Sequence, residues 1–129
     1  MASVPSFASH WVTVGTPPGD PHGRIVVDTD SLQKRDRFII VDIMTVYAAP
    51  IVNSYGITLD RFVQRTAFEC ADRLFVRVTT TGYLEDKRVG SSAATTDWKS
   101  GLIPLPNDAT SNRIYELVCK SAAPTRAAR

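Results

Sequence analysis

Two cysteines, Cys70 and Cys119, carry the most reactive side chains in this 129-residue chain. A zinc site needs ligands in close pairs of the Cys-x-x-Cys kind, and these two stand far apart. A nucleophilic thiol needs a histidine and an orienting Asn or Asp beside it. His10 and His22 are both distant in sequence, and His22 falls in a Pro-Gly loop. The carboxylates of Asp28, Asp30, Asp42, Glu69 and Asp72 could do general acid–base work only if they converged in pairs. Most of them stand at turns, where Asp28-Thr-Asp-Ser31 supplies oxygens to backbone donors more readily than a cage for a cation. Neither a glycine-rich phosphate loop nor a Gly-x-Ser-x-Gly elbow occurs. The residues therefore imply no enzyme, no cofactor and no metal. Two roles remain for the cysteines: a bond to each other, or two thiols in a reducing compartment.

The elements that would position these groups fit one domain with one hydrophobic core. The formal net charge of +2 is too small for the concentrated basic surface that nucleic acid requires. No apolar run approaches the roughly 18 residues of a membrane-spanning helix. The first twenty residues, with Pro5, Gly15, Pro17, Pro18 and Gly19, do not read as a signal peptide. Met1-Ala2-Ser3 is compatible with an authentic cytosolic start and with a mature domain from which an export signal has been removed.

Residues 1–9 read as a loose arm, residues 10–120 as a single α+β domain, and residues 121–129 as a disordered tail. Strands are expected at His10 to Val14, Arg24 to Asp28 and, most strongly, Phe38 to Ala48, whose β-branched density disfavours a helix. A charged hairpin turn is expected at Gln33 to Asp36. On the long strand the odd positions Ile39, Val41, Ile43, Thr45 and Tyr47 are assigned to the core. The even face, interrupted by Asp42, is assigned to a wet surface or to a second subunit in a homodimer. A strand from Phe62 to Cys70, a three-residue turn at Ala71 to Arg73 and a strand from Leu74 follow. That turn length places Leu74, Val76 and Val78 beside Phe68 and Cys70. The opposite face then carries Arg65, Glu69, Phe75 and Arg77, which form the expected protein-binding surface. Trp11 is assigned to core packing. Near the end, Thr110 or Ser111 is expected to cap a helix with Ile114, Leu117 and Val118 as its apolar stripe.

The ordering of these features resembles a known family. A Trp-bearing first strand (Trp11) precedes an Asp-x-x-Ser turn (Asp28, Ser31) and a long apolar strand. Glu69-Cys70 ends a later strand, Arg73 follows, then Tyr83, Trp98 ahead of Pro104, and a C-terminal Cys119. Over roughly residues 10 to 120 this is similar to the surface-adhesin protein E family of Gram-negative bacteria. The resemblance implies an antiparallel sheet of about six strands and one C-terminal α-helix, tied by a Cys70–Cys119 disulfide. It implies an extracytoplasmic location, in the periplasm, at the outer membrane or secreted. It also implies a non-enzymatic protein-binding role, in the family's named member that of a lipoprotein adhesin for host matrix and serum proteins. The chain itself shows no lipobox. The alternatives are a periplasmic envelope-associated or ligand-binding protein, and a small enzyme whose residues converge only in three dimensions.

Overall fold

The computed structural model describes residues 10–93 and 97–120. The arm at 1–9 and the tail at 121–129 lie outside the described residues. Within them the chain runs as an antiparallel meander: β1 (Trp11–Gly15), β2 (Arg24–Arg35), β3 (Phe38–Val52), β4 (Thr58–Glu69), β5 (Leu74–Leu84) and β6 (Lys87–Ala93). The strands lie in the order β1-β2-β3-β4-β5-β6, and a short β7 (Ile103–Pro104) pairs with the first residues of β5. A 3-10 turn at Trp98–Gly101 precedes β7, and helix α1 (Ala109–Tyr115) passes into one π turn, Glu116–Lys120.

Sequence alternation explains which face of the sheet is dry. Ile39, Val41 and Ile43 of β3 share a core with Val27, Phe68 and Phe75, and Ile114, Val118 and Cys119 of the helical segment seal it. Val118 is the deepest of these contacts, wholly excluded from solvent. The odd face of β3 is the core face, as its pattern requires. On the other face Trp98 packs edge-on against Phe38, with centroids 5.2 Å apart.

The sheet bends through register shifts in its first five strand pairs. Each shift inserts unpaired residues on one strand and increases local twist. Two of them lengthen strands beyond the expected ends. Asp28 to Ser31 forms a bulge inside β2 rather than a turn: Ser31 Oγ donates to the Asp28 carbonyl at 2.7 Å and accepts from the Asp42 amide at 2.8 Å. The hairpin turn is accordingly Asp36-Arg37, with Asp36 at φ 56°, and Gln33 to Arg35 remain in the strand. Pro50 does not end β3, because it falls in the irregular stretch between Val46 and Ile51 where no ladder amide is needed.

Three further expectations are corrected. The helix is capped by Asp108, whose carboxylate accepts from the Ser111 amide at 2.7 Å, and not by Thr110 or Ser111. Trp11 is exposed, because it pairs with Asp28 on the face that the helix does not cover. The loop after β4 has four residues, Cys70 to Arg73, so Phe68 pairs with Phe75 and Glu69 with Leu74. One added residue reverses every side chain that follows. Phe75 is therefore in the core, and Leu74 and Val76 lie on the opposite face.

Candidate functional site

The loop that reverses β5 is held from the helix side. Cys70 is bonded to Cys119, with Cα atoms 5.7 Å apart, and the Tyr115 hydroxyl donates to the Cys70 carbonyl at 2.7 Å. Arg73 adopts φ 55°, lays its guanidinium over the Tyr115 ring at 4.6 Å, and donates to Asn112 Oδ1 at 2.7 Å. The Leu105 amide closes the loop on the Arg73 carbonyl at 2.9 Å. These contacts fix both the helix and the register of β5.

So clasped, the helix packs against β1 and the first part of β3 and leaves the rest of its face open. The uncovered part is a groove of about 590 Å³. Its floor comes from three adjacent strands: Ile43, Thr45 and Tyr47 of β3, Phe62, Gln64, Thr66 and Phe68 of β4, and Phe75 and Arg77 of β5. Thr16 to Pro18 form one wall, and Leu105, Pro106 and the first turn of α1 form the other. A second basin of about 410 Å³ continues it and shares Tyr47, Phe62 and Gln64.

The second basin lies under the tip of the β3–β4 hairpin. There the Asn53 carboxamide oxygen accepts from the amides of Tyr55 and Ile57 at 2.9 and 3.0 Å, and Gly56 supplies a φ of 79°. Ile57 and Leu59 fold back over two cross-strand glycines. A Cβ on Gly90 would stand 3.2 Å from Ile57 Cδ1, and one on Gly82 would stand 3.1 Å from Leu59 Cδ2. The tip leaves Tyr55 86 % exposed.

Charge in the groove is sparse. Arg77 is exposed, stacks its guanidinium over the Phe75 ring at 5.3 Å, and makes no ion pair among the described residues. The one lining carboxylate, Asp108, is engaged as the helix cap. Burial, and secondarily the charge of Asp20, hold the Tyr47 phenol above its ordinary pKa. Among the described residues no group of three or more His, Cys, Asp or Glu side chains could hold a metal ion.

The four residues expected to share a binding face are split by the sheet. Arg65 lies on the face away from the helix, where its Nε donates to Asp42 at 3.1 Å and its raised pKa follows from that hydrogen bond and charge. Glu69 is on that side too, paired with Arg37 at 2.8 Å; its second oxygen is buried and has no hydrogen-bond partner among the described residues. Phe75 and Arg77 face the helix side, because of the four-residue loop. Sequence reasoning missed Tyr47, Phe62, Gln64 and Thr80 as groove residues. The usable signal was the small pair Gly82 and Gly90, which removes side-chain bulk beside them.

A bent antiparallel meander with one helix clasped across part of its dry face, leaving a groove beside it, defines a non-barrel α+β fold. The family model for surface-adhesin protein E matches residues 11–120, and the chain belongs to that family. No curated protein matches the chain. No helix among the described residues is long and apolar enough to cross a membrane.

Proposed function

We propose that the protein is a non-enzymatic, extracytoplasmic protein-binding module, an adhesin for a host matrix or serum protein, and that the helix-side groove is its contact surface. The observation that carries this reading is the Arg77 guanidinium, without an ion pair among the described residues and set over Phe75 in a mostly apolar groove, in a member of an adhesin family. Aromatic rings and arginine are the side chains most often found at the energetic centre of protein contacts. A non-enzymatic role is supported by the groove's chemistry, since its lining carboxylate caps the helix and, apart from Arg77, its other polar side chains are hydroxyls and an amide. An extracytoplasmic setting is supported by the disulfide, which persists in oxidising compartments.

The second basin favours one other reading. At about 410 Å³ it falls within the range of small-molecule pockets, which suits a periplasmic ligand-binding protein. Binding to immobilised matrix and serum proteins separates the two. The adhesin reading expects Arg77→Ala to weaken capture by at least about tenfold, the cost of a buried charge-assisted contact. It expects Arg65→Ala, on the opposite face, to leave capture unchanged. Absence of capture by the wild type would favour the ligand-binding alternative.

A further inference from the structure

Within the reading that the helix-side groove is a protein contact, we infer that its occupant is an extended peptide segment of the partner carrying one carboxylate side chain, seated on Arg77. Arg77 Cζ lies over the Phe75 ring, 5.3 Å from its centroid, and among the described residues the N–H donors of its guanidinium fork have no hydrogen-bond or ion-pair partner. A planar fork of that kind matches a carboxylate bidentately. Among the described residues no carboxylate pairs with the guanidinium, and Asp108, which caps the helix through the Ser111 amide at 2.7 Å, makes no ion pair with Arg77. Among the described residues the second basin is lined by no charged side chain. The groove therefore has a place for one negative charge and no place for a second.

The spacing of polar groups selects a peptide over a hydrocarbon chain. Thr66 pairs with Arg77, and Gln64 pairs with Thr80. Thr66 and Gln64 are two residues apart on one strand, so the arginine row and the amide row stand roughly 6.6–6.8 Å apart, the repeat of residues i and i+2 in an extended chain. Gln64 Nε2 donates to Thr80 Oγ1 at 3.4 Å, and its carbonyl oxygen is left for a guest amide. Beneath a hydrocarbon chain these groups would be desolvated without partners, which is unfavourable. A peptide residue two positions from the carboxylate on one side would meet Phe68, and one four positions away on the other side, past the Gln64 row, would meet Phe62.

The probe is a bead-bound library of random peptides about eight residues long, long enough to cross a sheet face, acetylated and amidated so that no terminal charge contributes. Wild-type protein should select peptides with one Asp or Glu flanked by apolar residues, at least about tenfold over their Asn and Gln counterparts. Arg77→Gln, shown by its melting curve to be folded, should lose that preference. A selected pool without acidic preference, or a preference unchanged in Arg77→Gln, overturns the inference. So does binding of laurate by a protein that selects no peptide from the library. If capture of a whole matrix protein depends on Arg77 while the library shows no acidic preference, the carboxylate inference falls and the groove reading stands. If neither depends on Arg77, both fall.

Discussion

Phe75 stacks on Phe68 across the β4–β5 ladder, with ring centroids 6.3 Å apart and planes 27° from parallel. This pair fixes which face of β5 is buried, and it puts Arg77 on the groove side. Truncating it tests the register directly. Phe75→Ala should destabilise the protein by about 3–5 kcal/mol, whereas Arg77→Ala should change stability by no more than about 0.5 kcal/mol. Chemical denaturation of the two variants checks this. Equal, small effects would place Phe75 at the surface.

Cys70 and Cys119 are 49 residues apart in sequence. Closing a loop of that length restricts the unfolded chain and stabilises the fold by about 4 kcal/mol in the chain-entropy model. Reduction should therefore lower the melting temperature by on the order of 10–20 °C. The Cys70→Ser, Cys119→Ser double variant should melt like the reduced wild type. Superimposable melts with and without reductant would contradict the clasp.

The helix sits close to the first strand through a single glycine. A Cβ on Gly15 would collide with the Thr110 side chain, lying 3.0 Å from its Cβ and nearer still to its Oγ1. Gly15→Ala should cost about 1–3 kcal/mol through overpacking. Adding Thr110→Ala should recover part of that loss, because the methyl then has room. A double-mutant cycle reads the coupling, and strict additivity would mean that the two residues do not touch.

Ser31 holds the β2 bulge with one hydroxyl that both donates to Asp28 and serves the Asp42 amide. Ser31→Ala leaves that amide without its partner, at an expected cost of about 1–3 kcal/mol. Hydrogen exchange at Asp42 should accelerate while exchange at Val41 changes less. An unaltered Asp42 amide would show that the bulge does not rely on the hydroxyl.

Tyr47 gives the protein a signature at alkaline pH. Its phenol is held above the ordinary value of 10.0, first by burial and then by Asp20. A raised folded pKa means that the neutral form is favoured in the fold. Its stabilising contribution is complete below the unfolded value and is lost as pH rises through the folded one. Phenolate absorbance should reveal a late-ionising tyrosine that disappears in Tyr47→Phe. Identical titrations of the two proteins, apart from one ordinary phenol, would contradict the buried position.

The long, locally determined features were legible in the sequence. The apolar density of Phe38 to Ala48 gives β3 and its odd core face, and Ile114 with Val118 gives the helical stripe. The order of Trp11, Cys70, Trp98 and Cys119 pointed to the family that the chain belongs to. What was not legible depends on contacts distant in sequence. The length of the Cys70 to Arg73 loop is set by Tyr115, Asn112 and Leu105, none of which alternation within the hairpin can reveal. That one residue misplaced Phe75 and Arg77 and joined them to Arg65 and Glu69. Trp11 was misassigned for a related reason, because edge position and helix placement, not hydrophobicity, decide its exposure.

The central claim is that Arg77 and the open half of the helix-side face make the partner contact. It is tested most directly by measuring capture of wild type, Arg77→Ala and Arg65→Ala on one panel of immobilised matrix and serum proteins. Arg77→Ala should lose at least about tenfold in affinity for whichever member binds, while Arg65→Ala should match the wild type. Undiminished binding by Arg77→Ala, or loss confined to Arg65→Ala, would contradict it and move the contact to the opposite face.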